Sequence, residues 1–211
     1  MQPLRENEIA NLNWSSRSPF SFPGMVRIGT VGGGSCFFHA VFSAFYLPYI
    51  EGRIGKMPFN ASEFISRIRN ELSVEISPLD LQTLDKEGWQ PDELELEQMK
   101  TYLSSSMPID RRFFEYLSKK LSKDILILDG DIEDVLLLGD PSLLYLGSPR
   151  KSIVLVRVSD HFEVVGLGEN FSKGNPMLGF PNIRTEFEST DPFCQAILSR
   201  MKEKASLASY S

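Results

Sequence analysis

The chain reads as an α+β domain with a small sheet packed against helices, and three features predict this. Apolar residues recur at helical spacing through much of residues 36–121, as in Phe64, Ile65, Ile68 and Leu72. The period then shortens to compact apolar runs, Ile125-Leu126-Ile127-Leu128 and Ile153 to Val158, bounded by turn formers as buried strands are. A triple glycine, Gly32-Gly33-Gly34, leads directly into an almost wholly apolar segment ending before Pro48. Helices first and strands late fit a sheet with helices laid against it, and 211 residues at 42% hydrophobic content suffice for one sizeable core.

Residues 1–24 are polar and broken by Pro19 and Pro23-Gly24, which predicts a loosely packed arm docked by Trp14, Phe20 and Phe22. Residues 25–211 form the domain proper. Met25 to Ile28 alternates as a short strand, and a helix runs from Cys36 to about Leu47. Glu51 to Lys56 is a loop, after which Asn60 or Ser62 caps a helix that Ser77-Pro78 ends. Leu79, Leu81 and Leu84 suggest a short helix stopping near Gly88. Pro91-Asp92-Glu93 opens another, with Leu94, Met99, Tyr102 and Leu103 as its buried side. Asp110 begins a third through Phe113, Phe114, Leu117 and Leu121, with Lys119 and Lys120 at its end. Asp129-Gly130-Asp131 is a turn, and the runs 135–138 and 143–146 are ambiguous. Residues 153–158 and 162–167 are a strand pair joined around Ser159-Asp160-His161, residues 172–189 are rich in turn formers, and Asp191-Pro192 starts a final helix.

The stretch Gly32-Gly33-Gly34-Ser35-Cys36-Phe37-Phe38-His39-Ala40 organises the rest. Glycines permit backbone conformations that a Cβ forbids, and the free N–H groups of a helix start favour an anion. A thiol placed there has its thiolate stabilised, so the Cys36 pKa is expected to fall. A lone cysteine is ordinarily a small buried hydrophobe; the glycine loop and helix junction single Cys36 out as a nucleophile. The N–H groups of Gly33, Gly34 and Cys36 are the expected oxyanion donors.

This stretch resembles the active-site signature of the ovarian tumour (OTU) family of cysteine proteases, most of them deubiquitinases. Gly32, Gly34, Ser35, Cys36, Phe38, His39 and Ala40 match, while Gly33 stands where the family usually has Asp. The second half of that signature is a histidine near the end of the chain, followed by an aromatic and a polar orienter, and His161-Phe162-Glu163 supplies it. The resemblance implies a papain-like fold, a central sheet between helical layers with the nucleophile at the start of a buried helix. It also implies cleavage after the C-terminal Gly-Gly of ubiquitin or a ubiquitin-like protein, with Cys36 as nucleophile and His161 as general base and then acid.

His39 lies one turn beyond Cys36, but a base on the same helix leaves no cleft for an extended peptide, so it is read as a hydrogen-bonded core residue. Glu163 is on the same strand face as His161 and is the expected acceptor for its ring; Asp160 takes that role only if the strand is bulged. Losing Asp at position 33 and having Glu at 163 leave a second reading open, a lapsed relative that binds ubiquitin or a partner without turnover.

With 22 basic and 28 acidic residues and no Lys/Arg run, a nucleic-acid footprint is absent. No apolar run spans a bilayer, and Cys36 and Cys194 make no disulfide framework, so a cytoplasmic enzyme is expected. If the chain came from a virus or intracellular pathogen, that cytosol would be the host's. No cofactor or metal is expected: two Cys and two His are too scattered for zinc, and Asp129 to Asp134 lacks the glycine of a calcium loop. The expected state is a monomer.

Overall fold

The computed structural model describes residues 1–78, 80, 92–109, 112–137, 150–168 and 182–208, without the side chains of residues 112 and 115. In chain order the elements are β1 (Ile9–Asn11), β2 (Met25–Ile28), α1 (Cys36–Phe45), α2 (Leu47–Glu51), β3 (Arg53–Ile54), β4 (Met57–Pro58) and α3 (Ala61–Glu75). There follow α4 (Glu93–Ser104), α5 (Arg112–Leu121), β5 (Lys123–Asp129), β6 (Asp134–Val135), β7 (Lys151–Val158), β8 (His161–Gly168), β9 (Ile183–Arg184), β10 (Glu186–Phe187) and α6 (Pro192–Ala208).

One sheet runs β1-β2-β8-β7-β5-β6, with β10 beside β7 and β9 beside β8; β5 and β7 are parallel and the other pairs antiparallel. The fold is α+β with a central sheet, as expected; among the described residues that sheet has eight strands, four of them only two or three residues long. Both faces are covered, so β7 reads as an unbroken apolar run rather than an alternation. Ile153, Leu155 and Val164 pack with α1, α3 and α5 through Phe37, Val41, Ile65, Phe113 and Leu117. Val154, Val156, Val158 and Val165 face α6 through Phe193, Cys194, Ile197 and Met201. Each such side chain contributes about 1.5–3 kcal/mol on burial.

Residues 1–24 are not a loose arm. Strand β1 pairs with β2, and Leu4, Ile9, Leu12 and Phe20 are buried. Their wide spacing gives no period to read, and they are fixed by distant partners: the Ser15 N–H donates to Glu133 and the Ser18 hydroxyl to the Glu133 carbonyl. Leu94 is a second correction, at 68% exposed. Asp92 caps α4 in a reciprocal box with Glu95, and Met99 and Leu103 form the buried side, which leaves Leu94 about 140° round the helix from Met99. The expected loop of Glu51 to Lys56 starts at the last residue of α2 and forms most of the β3–β4 hairpin, with Gly52 and Gly55 at φ 64° and 60°. Asn60 caps α3 through the Glu63 N–H. The expected helix of residues 79–88 apart from Asp80, Pro91, Asp110 and the run 143–146 lie outside the described residues.

Candidate active site

Cys36 is the first residue of α1 and is 4% exposed. The loop before it is tight: Gly33 takes φ 97°, and the Cys36 N–H donates to the Gly33 carbonyl at 3.0 Å. Gly34 has no room for a side chain, since a Cβ would lie 1.9 Å from the Ser106 carbonyl oxygen.

Opposite this loop, Ser159 and Asp160 turn β7 into β8, with Ser159 in the left-handed region at φ 55° and its N–H donating to Asp131 at 3.0 Å. The turn sets His161 as the first residue of β8, paired with Val158. The Cys36 thiol donates to the Asp160 carbonyl at 3.7 Å. What holds the two segments together is aromatic. Phe37 follows Cys36, Phe162 follows His161, and their rings meet edge to face at 5.2 Å, with Phe114 stacked on Phe37 at 4.3 Å. Such pairs are each worth about 0.5–1.5 kcal/mol beyond burial. The Thr30 hydroxyl donates to the Phe162 carbonyl at 2.6 Å and fastens the same strand.

Electrostatically the site departs from expectation. Burial pushes the Cys36 thiol above its ordinary pKa; the N–H groups of Phe162, Phe37 and Cys36 oppose this, and the Asp160 charge adds to it. The helix terminus offers about 0.3–1 kcal/mol to an anion, against several kcal/mol for taking an ion out of water. Desolvation wins. His161 is half-buried, burial lowers its pKa, and its buried Nε2 has no hydrogen-bond partner among the described residues. The resting thiol and imidazole are therefore both favoured in their neutral forms.

Glu163 does not meet His161. Its carboxylate is fully buried and accepts from the Leu4 N–H at 2.6 Å and from Arg27 at 3.1 Å. Arg27 also donates to the Gln2 carbonyl at 2.9 Å. Alternation along β8 was the ground for pairing the two, but the segment before β1 and Arg27 of β2 supply the donors to this carboxylate. The Asp160 side chain is exposed and makes no hydrogen bond to His161 among the described residues. Of the expected oxyanion donors, Cys36 N–H is committed to the turn, whereas Gly33 and Gly34 N–H have no partner among the described residues. His39 is a core residue: buried, bonded through Nδ1 to the Tyr49 hydroxyl, and lowered to a pKa of about 4 by burial.

Arg69 packs against the loop before Cys36, a contact not legible in the sequence. It is 1% exposed on α3, and its guanidinium donates to the Gly34 carbonyl and the Ser35 hydroxyl. The available signal was its position, four residues after Ile65 and three before Leu72, inside the apolar stripe. The acidic loop 129–134 is committed to protein donors: Asp129 to Arg157, Asp131 to Ser159, Glu133 to Ser15, and Asp134 to Arg200 and Lys204. No group of three potential metal ligands gathers among the described residues, and none of their helices is long and apolar enough to cross a membrane.

No protein-family model and no curated protein matches the chain. Among solved structures it is similar to an ovarian tumour (OTU) domain in complex with ubiquitin, at 12% identity over 86% of this chain and 85% of that one, with a TM-score of 0.49. It is also similar to an OTU deubiquitinase from Wolbachia pipientis wMel. The ubiquitin-bound structure of that protein gives 13% identity over 67% of this chain and 95% of that one, TM-score 0.38. A further structure of it gives 12% over 69% and 90%, TM-score 0.42.

Proposed function

We propose that the chain is a cysteine isopeptidase that cleaves ubiquitin or a ubiquitin-like protein from lysine side chains. The observation that carries this is the Cys36 thiol lying against the backbone of the turn that bears His161, the two held by Phe37 on Phe162. The substrate class comes from the two sequence motifs, not from the geometry. In this reading the Cys36 sulfur attacks the carbonyl carbon of the terminal glycine as His161 takes the thiol proton. The C–N bond breaks, His161 returns that proton to the leaving lysine amine, and water then cleaves the thioester. Gly33 and Gly34 supply N–H groups to the developing oxyanion. The site acts without a cofactor, as a monomer. With neither Cys36 nor Cys194 in a disulfide, the cytoplasm is its proposed compartment.

The test is a ubiquitin probe with a C-terminal electrophile, with ubiquitin-like probes beside it. Wild type forms an adduct, Cys36→Ala forms none, and His161→Ala loses turnover. Undiminished cleavage by either variant overturns the assignment. One observation favours the lapsed reading, the commitment of Glu163 to Arg27 and Leu4; ubiquitin binding without adduct or cleavage would select it.

A further inference from the structure

We infer that Arg69 is a positioning residue for the nucleophile loop, holding Gly34 and Ser35 so that Cys36 meets the His161 turn. This rests on Cys36 being the nucleophile.

A buried cation is expensive unless paired, yet no carboxylate pairs with Arg69 among the described residues. Its donors go to neutral oxygens from two segments. One terminal nitrogen donates to the Gly34 carbonyl at 3.4 Å and to the Ser35 hydroxyl at 2.9 Å. The other donates to the carbonyls of Tyr102 at 3.5 Å and Met107 at 2.9 Å, and Nε to that of Leu103 at 2.9 Å. The guanidinium carbon sits 4.8 Å from the centre of the Phe38 ring. Ser35 directly precedes Cys36 and Phe38 lies two residues beyond it, so one planar group contacts the chain on both sides of the nucleophile.

The geometry demands a planar fork. The turn at Ser106 packs on Gly34 closely enough to exclude a Cβ, and carbonyl oxygens of the Gly34 loop, the end of α4 and the turn after it converge on one guanidinium. Only a group with donors spread in several directions and a flat face for Phe38 bridges them. A lysine has three donors on one atom and no such face. The guanidinium also borders a cavity of about 340 Å3 lined by Gly32, Gly34, Ser35, Ser66 and Ser106 among others, so removing the side chain leaves space that a small planar cation can enter.

The experiment uses the full chain with Arg69→Lys and Arg69→Ala. Steady-state cleavage is read beside iodoacetamide labelling of Cys36, and Cys194, fully buried on the sheet-facing side of α6, serves as the internal control. A loop displaced by about 1 Å should lower kcat about 100-fold with KM little changed. Cys36 labelling should rise while Cys194 stays protected, because local loosening exposes only the first. Millimolar guanidinium should restore part of the Arg69→Ala rate, and methylammonium should not. Unchanged kcat and Cys36 labelling in folded Arg69→Lys overturn the inference, as does equal gain of labelling at both cysteines, which marks global destabilisation. If neither variant folds, Ser35→Ala decides: a lower kcat at unchanged Tm supports the inference and a wild-type kcat overturns it. Labelling needs no ubiquitin, so failure of the substrate assignment is distinguishable from failure of this one.

Discussion

Replacing Arg27 by methionine keeps most of the buried volume and strands the Glu163 carboxylate inside the sheet. In the wild type that carboxylate is fully buried, with one oxygen on Arg27 and the other on the Leu4 N–H. Breaking a buried pair from one side costs about 3–5 kcal/mol, and the surviving 2.6 Å bond from Leu4 argues for the lower end. For a chain of this size about 3 kcal/mol corresponds to a fall in Tm of roughly 6–12 °C. The loss must also depend on pH. Burial already raises the Glu163 pKa, with Leu4 and Arg27 pulling it back down; without Arg27 it rises further. A carboxyl raised in the folded state binds more protons there than in the unfolded chain, so stability falls as pH rises from the ordinary glutamate value through the folded one. Urea unfolding at about pH 5 and about pH 8 should therefore show a smaller Arg27→Met deficit in acid. The double variant Arg27→Met with Glu163→Gln should recover most of the loss at the higher pH. A wild-type midpoint, or a deficit that does not shrink in acid, refutes the buried-pair account and reopens Glu163 as an orienter of His161.

Gly34→Ala should destabilise by about 1–3 kcal/mol through overpacking and lower activity, because its Cβ meets the Ser106 carbonyl at 1.9 Å. Gly32→Ala, with nothing within 4 Å of its Cβ, should stay within about 0.5 kcal/mol of wild type; equal effects of the two by urea denaturation would refute the packing account. Burial holds the Cys36 thiol up, so its alkylation rate in the unliganded protein should still be climbing at about pH 9. A plateau below about pH 8 would show that the helix terminus outweighs desolvation after all.

The legible parts of the fold were those whose signals are local. Strands β7 and β8, the cap of α3 at Asn60 and the apolar face of α5 are each set by period or by a neighbour three or four residues away. Residues 1–24 were illegible because their anchors are distant: Leu4 finds Glu163, Ser15 finds Glu133, and Ile9 pairs with Ile28. The site divides the same way. Cys36 and His161 follow from short motifs, and the structure brings their segments together. The environment of Glu163 turns on Arg27, 136 residues away in sequence, and on Leu4, 159 away. Alternation predicts which face a side chain takes and says nothing of which donors wait there.

The same division explains the electrostatics. A cysteine after three glycines reads as activated because the helix terminus is visible in sequence, whereas the burial that opposes it comes from elsewhere. Phe37 and Phe162 draw the Cys36 helix onto β8, and Arg69 holds the loop before it. These contacts align the thiol with the His161 turn, and they also remove the water that would solvate a thiolate. Alignment and activation are thus opposed in this resting site. On the proposed reading, catalysis depends on proton transfer to His161 as the substrate carbonyl is attacked, not on a thiolate formed beforehand. Burial favours a neutral His161 able to accept that proton. The geometric demand on the Cys36 loop is correspondingly strict, since the thiol must be placed for attack and for proton transfer at once.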